Sequence, residues 1–213
     1  MGFFKKHIFF YRGYTQALFF LMLIFYIWFS PPNFFEGTWG DTLIDAVGIA
    51  SLIAGELLRV WAVSHGGKWM RSRRLKVPML ITTGPYAYIR HPIYAGNFLI
   101  GLGMVVVADA LSFIPVFLIL FVLQYHAVVS EEESFLSEQF GEEFNRYRAR
   151  VPKYFPVGIS IRSSFAFGRN LPLKEFGTVW GIIVGGFFLE WIESPLHRGW
   201  IVGLLDRIIG RLS

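Results

Sequence analysis

The chain has 213 residues, 54% of them hydrophobic and only 16% charged, a balance that excludes an ordinary soluble domain and predicts one membrane-embedded domain over residues 1–213. Cysteine is absent, which excludes disulfides and thiolate–metal sites, and none of His7, His65, His91, His126 and His197 stands at His-x-x-x-His spacing, so no metal is expected. The net charge of +5 comes from bases that flank apolar segments, which points to membrane lipids as the partner and not to nucleic acid.

Lys5, Lys6 and Arg12 precede a first apolar run, Tyr14–Ser30, which Pro31-Pro32 ends because proline cannot continue a helix. No small-x-small cleavage site follows, so a cleaved signal peptide is not expected. Leu43–Val63 is a second predicted span. Glu56 near its end is an intramembrane ionisable group and hence a candidate site residue, with Arg59 one turn on as its candidate partner. Arg71, Arg73, Arg74 and Lys76 read as headgroup anchors.

Ile93–Ala108 and Ala110–Val129 read as a pair of spans turning at Asp109. Gly101-x-Gly103 lies inside the first of them. It lacks the strand–turn–helix setting of a dinucleotide fingerprint and reads as helix packing. Glu131–Arg150 has a charged helical pattern that continues the fourth span, with Phe135, Leu136, Phe140, Phe144 and Tyr147 recurring at helical spacing. Phe176–Ile192 is a fifth candidate span, and Gly199–Leu212 an amphipathic helix lying in the interface. The predicted fold is all-α: a polytopic bundle of about five transmembrane helices. With the N-terminus inside, all Lys and Arg except Arg198, Arg207 and Arg211 fall on the cytoplasmic side, the distribution that basic residues favour.

Two polar patches interrupt this apolar pattern. In the first, Gly84-Pro85 turns the chain, and Tyr86, Tyr88, Arg90, His91 and Tyr94 follow within nine residues. Pro92 suits a first helical turn, whose free N–H groups favour an anion such as a carboxylate. Tyrosine faces can stack on a purine or hold a cation. An interfacial belt of Tyr and Arg is the plainer reading of any one of these residues. In the second patch, Glu131, Glu132 and Glu133 end a membrane helix. Adjacent positions diverge on a helix, so one carboxylate can face a site while the others meet water. A predicted hairpin separates the patches and returns them to one membrane face.

These motifs together, Thr83-Gly84-Pro85-Tyr86…Arg90-His91-Pro92-x-Tyr94-x-Gly96 and Glu132-Glu133-x-x-Leu136-x-x-x-Phe140-Gly141-x-x-Phe144-x-x-Tyr147-x-x-x-Val151-Pro152, resemble the isoprenylcysteine carboxyl methyltransferase family. The match covers residues 77–156, and residues 158–213 lie beyond it. The resemblance implies S-adenosylmethionine as cofactor, held by Met79, Leu80 and Ile81 through backbone, by Tyr86, His91, Pro92 and Tyr94, and by Glu132. It implies a lipidic substrate and a cytosolic site. Prenylcysteine enzymes carry a substrate-binding arginine where Val128 stands, which sets the prenylcysteine substrate in question. Arg148 or Arg150 folding back could supply the missing charge, so Glu132, Arg148 and Arg150 are the candidate catalytic residues. A carboxylate acceptor is already ionised and needs no base. An amine would need one, from Glu131, Glu133 or His126. A nicotinamide-dependent membrane sterol or enone reductase, or a non-catalytic membrane protein, are the alternatives.

Overall fold

The computed structural model describes residues 18–27, 29, 39–66 and 78–155, whose regular structure is helical, with no strand among the described residues. Five α-helices follow one another: α1 (Leu18–Ile27), α2 (Trp39–Gly66), α3 (Pro92–Val107), α4 (Ile114–Phe140) and α5 (Glu142–Arg150). Short 3-10 turns at Gly84–Ala87 and Leu111–Phe113 lead into α3 and α4. Among the described residues, α2 and the stretch Leu111–Phe140 are long and apolar enough to cross a membrane. The predicted third span is a helix of 16 residues, short of the roughly 20 that an untilted crossing needs. The predicted segments Phe176–Ile192 and Gly199–Leu212 lie outside the described residues. The outer faces of α2 and α4 carry exposed Leu43, Val47, Ile53, Leu57, Ile119, Val122 and Leu123, a surface suited to lipid.

Helix α2 extends past both predicted ends, with Asp41 in its first turn, where a carboxylate matches the sign of the helix dipole. It packs against α3 backbone to backbone. Gly48 and Gly55 on α2, and Gly96 and Gly103 on α3, each stand seven residues apart. A Cβ on Gly55 would lie 2.7 Å from the Gly96 carbonyl oxygen, and one on Gly103 2.7 Å from that of Gly48. Only small residues permit such an approach. The Ser51 hydroxyl adds a 2.8 Å hydrogen bond to the Leu99 carbonyl.

The expected hairpin between α3 and α4 is present, with Asp109 in the left-handed region (φ 49°) and Ala110 N donating to Val105 O at 3.0 Å. Leu23 and Ile27 of α1 join Val105, Ala108, Ala110, Phe113 and Phe117 in a core cluster at this end. A second cluster, Tyr94, Tyr125, Val128 and Val129, forms between the start of α3 and the later turns of α4. Glu131–Arg150 is not one continuous helix, as its pattern suggested. It ends at Phe140, and Gly141 (φ 50°, ψ −120°) turns the chain into α5, because that backbone conformation suits glycine alone. The turn lets α5 fold back and bury Phe144.

Candidate active site

Gly84 adopts φ 62°, and a Cβ there would lie 2.6 Å from the imidazole of His65, so glycine is needed for both conformation and space. The turn that follows buries Tyr86. Its carbonyls are used locally, Pro85 O accepting from Tyr88 N and Ile89 N at 3.1 Å each. His91 then caps α3, with Pro92 in the first turn. Two backbone hydrogen bonds tie this segment to the stretch after α5: Arg90 N to Pro152 O at 2.9 Å and His91 N to Lys153 O at 3.2 Å. The Tyr147 hydroxyl of α5 donates to Tyr86 O at 2.7 Å, closing the same junction from the other side.

The last turns of α4 bring the acidic triplet to this junction. The His91 imidazole stands between two carboxylates, with Nε2 2.9 Å from Glu133 Oε1 and Nδ1 3.5 Å from Glu132 Oε2. Glu133 also receives Arg90 Nη1 at 3.0 Å and Lys153 Nζ at 3.4 Å. Burial alone depresses the basicity of His91. Its hydrogen bonds to Glu132 and Glu133, and their negative charges, outweigh burial and hold its pKa above the ordinary value. Burial pushes the Tyr86 phenol far up, and the Glu132 charge adds to this. Burial likewise raises Tyr147, against an opposing pull from Arg90. All these phenols therefore stay protonated donors. The Tyr86 hydroxyl is buried with no hydrogen-bond partner among the described residues.

An aromatic cleft of about 630 Å³ adjoins the cluster, walled by Trp61, Tyr88, Tyr94, Tyr125, His126 and Tyr154. The two share walls: the ring of Tyr94 stacks on His91 at 5.8 Å, and that of Tyr154 lies 6.2 Å from it. The site thus offers charged, hydrogen-bonding groups on one side and flat π-faces on the other.

The residues predicted from the motifs fall into three groups. Tyr86, His91, Pro92 and Tyr94 are buried together, and Glu132 meets His91 at its edge. Met79 is exposed, Leu80 and Ile81 are half-buried, and none of the three lines the cleft. Arg148 and Arg150 are exposed at the end of α5, whose inward face carries Phe144 and Tyr147. The cations that reach the carboxylates are instead Arg90 and Lys153. Val128 is buried in the aromatic cluster, and Glu131, three residues on, is buried as well. Sequence reasoning missed the central place of Glu133 and the roles of Lys153 and Tyr154. Glu133 lay in plain view as half of the Glu-Glu pair. Lys153 and Tyr154 carry no periodic signal, because they follow α5 in a stretch held by backbone hydrogen bonds from Arg90 and His91 to Pro152 and Lys153, far away in sequence.

The model of the isoprenylcysteine carboxyl methyltransferase family matches residues 46–138, from α2 to beyond the acidic triplet. The chain is 32% identical over 175 residues to a nickel-cobalt-cadmium resistance protein of Alcaligenes xylosoxydans xylosoxydans, covering 76% of each. It is 32% identical over 170 residues to a cobalt-zinc-cadmium resistance protein of Cupriavidus metallidurans, covering 79% of this chain and 67% of that one. It is 33% identical over 112 residues to a protein-S-isoprenylcysteine O-methyltransferase of Schizosaccharomyces pombe, covering 50% of this chain and 47% of that one. Among the described residues no group of three or more His, Asp or Glu could hold a metal ion. No solved structure matches.

Proposed function

The chain belongs to the isoprenylcysteine carboxyl methyltransferase family, a family of methyltransferases, and from that premise we propose that it transfers a methyl group from S-adenosylmethionine to a lipid-soluble acceptor at the cytosolic membrane face. The observation that carries this reading is the junction of His91 with Glu132 and Glu133, 42 residues apart in the case of the shorter contact, beside an aromatic cleft.

The residues present fit the cofactor. Its sulfonium is a cation, and the π-faces of Tyr94 and Tyr154 attract cations. Glu132, partly exposed at the edge of the cluster, suits an ammonium group. The buried Tyr86 hydroxyl is a donor that a carboxylate or a ring nitrogen would satisfy. When bound, the cofactor supplies an electrophilic methyl group on a positively charged sulfur. The chain's own part is to orient both reactants and exclude water, which alone accounts for large accelerations. Glu133 holds His91 and, through Arg90 and Lys153, fixes the loop that carries it. Buried Val128 offers no charge to an acceptor carboxylate, so a farnesylated cysteine is expected to be a poor acceptor beside other lipid-soluble nucleophiles.

Calorimetry on the detergent-purified protein tests the assignment. S-adenosylmethionine and its demethylated product should both bind, and Glu132→Gln should weaken binding by the ~1.5–3 kcal/mol of one charge-assisted contact. Binding of NADPH, with no heat from either methyl-cycle ligand, would transfer the chain to reductase chemistry. Radiolabelled methyl transfer to N-acetyl-farnesylcysteine, run beside phosphatidylethanolamine vesicles, reads the acceptor. Rapid turnover of the prenylcysteine alone would show that Val128 marks no change of specificity.

A further inference from the structure

The aromatic cleft beside the His91 junction has an imidazole at its edge. His126 of α4 lines the cleft one turn after Val122, and both are exposed. This edge therefore opens to the outer apolar surface that Ile119 and Leu123 continue. The His126 ring takes part in no hydrogen bond or ion pair among the described residues. It stands five residues, about 7.5 Å of helix rise, before Glu131 and so close to the charged end of α4.

Of the three groups near the junction that could take a proton from an acceptor, His126 alone lines the cleft. Glu133 is held by Arg90, His91 and Lys153. Glu131 is buried and is not part of the cleft wall. The other titratable liners are Tyr88 before α3, Tyr94 of α3, Tyr125 of α4 and Tyr154 after α5, while α2 contributes the apolar face of Trp61. Neither a carboxylate nor a lysine or arginine is among the described liners.

A carboxylate acceptor would find no lysine or arginine there to offset its loss of water. An uncharged nucleophile enters such a cleft readily but must shed a proton as it is methylated. A thiol sheds it at about pH 8.5, against about 10 for a phenol and about 10.4 for an alkylammonium. Sulfur also packs favourably on aromatic rings, which form most of this wall. We propose that His126 is the general base of the transfer and that the acceptor it serves is a lipid-soluble thiol, methylated on sulfur. The proposal rests on the methyl-transfer reading and names the acceptor of that same site. In the step, the S–H bond breaks and its proton goes to a ring nitrogen of His126. The electron pair left on sulfur forms the new S–CH3 bond. The bond from methyl to the donor sulfonium breaks, its pair stays on the donor sulfur, and a neutral thioether leaves. The positive charge thus passes from sulfonium to imidazolium.

The test uses the full chain in detergent with radiolabelled S-adenosylmethionine. Dodecanethiol should be methylated faster than dodecanoate, dodecylamine or dodecanol. His126→Gln should lower kcat on dodecanethiol by about 10²–10⁴-fold, the share of a general base, with cofactor binding by calorimetry unchanged. The deficit should narrow as pH is raised toward about 10, where the thiol ionises unaided. It should nearly vanish on 4-dodecylbenzenethiol, a more acidic thiol that needs no base, and that turnover also shows the variant to be folded. With no methyl donor present, diethyl pyrocarbonate should modify His126, read by mass spectrometry, and dodecyl methyl sulfide, the expected product, should protect it. Dodecanethiol turning over no faster than dodecanoate or dodecylamine would overturn the proposal. So would an undiminished rate in His126→Gln, an equal loss on both thiols, or a failure of the sulfide to protect. If S-adenosylmethionine does not bind at all, the methyl-transfer reading itself falls, and the proposal with it.

Discussion

Glu133 is one anion shared among the Arg90 guanidinium, the Lys153 ammonium and the His91 imidazole. Glu133→Gln keeps the shape and removes the charge. It should cost ~1.5–3 kcal/mol of stability, as loss of a charged hydrogen bond does, read as a lower midpoint of thermal unfolding in detergent. The effect has a pH signature. The folded pKa of His91 is raised above its ordinary value, so its contribution to stability is complete below the unfolded pKa of about 6.5 and fades as pH rises through the folded value. Unfolding midpoints of the unaltered protein should therefore fall relative to those of His91→Gln as pH is taken from about 6 to about 9, reflecting that linkage. Parallel curves would show that the His91–carboxylate pairing carries no net stability. Tyr86→Phe probes the other buried group. Its hydroxyl has no described partner, so its removal should leave stability unchanged or improved while weakening S-adenosylmethionine binding.

The α2–α3 contact depends on four glycines at two seven-residue intervals, and the His91 junction depends on α5 turning back at Gly141. Gly55→Val would place side-chain carbon against the Gly96 backbone and Ile100. It should cost ~1–3 kcal/mol through overpacking, or more where the helices cannot separate, and should also disturb His91 by shifting the start of α3. Gly141→Ala separates sterics from backbone strain. Nothing lies within 4 Å of the added carbon, so the cost comes from φ 50° alone, ~1–3 kcal/mol. Its expected readout is local: faster hydrogen exchange at α5 and at residues 151–154, with α2 and α3 unchanged. A uniform loss of protection would place α5 inside the global folding unit.

The bundle sorts its chemistry by ends. The α3–α4 turn and the apolar cluster with α1 lie at one end, and the His91 junction lies at the other, beside the basic residues of α5. If the basic end is cytoplasmic, a membrane-impermeant thiol reagent applied to intact cells should label Ser112→Cys and spare Glu142→Cys. Both positions are exposed, and the cysteine-free chain gives no background. Ser112 is preferable to Asp109, whose left-handed backbone tolerates few replacements. Labelling of position 142 alone would invert the orientation.

Apolar length, glycine and proline placement, and the order of the polar motifs determined the helical character of the chain, the α3–α4 hairpin, and the meeting of His91 with the acidic end of α4. These are local or periodic signals: a run of apolar residues must be satisfied as a helix in lipid, and a tight turn between two such runs leaves their far ends together. Tertiary structure alone decided which carboxylate does what. Glu132 and Glu133 are neighbours in sequence, yet Glu133 takes Arg90, Lys153 and one nitrogen of His91, while Glu132 stays at the edge. It also placed Lys153 and Tyr154 at the His91 junction and left Arg148 and Arg150 exposed on α5, whose buried Phe144 and whose Tyr147 hydroxyl on Tyr86 make the contacts inward. Contacts such as Tyr147 to Tyr86, 61 residues apart, and Arg59 against Gly96 arise from how helices and loops pack, and packing leaves no period for a sequence to display.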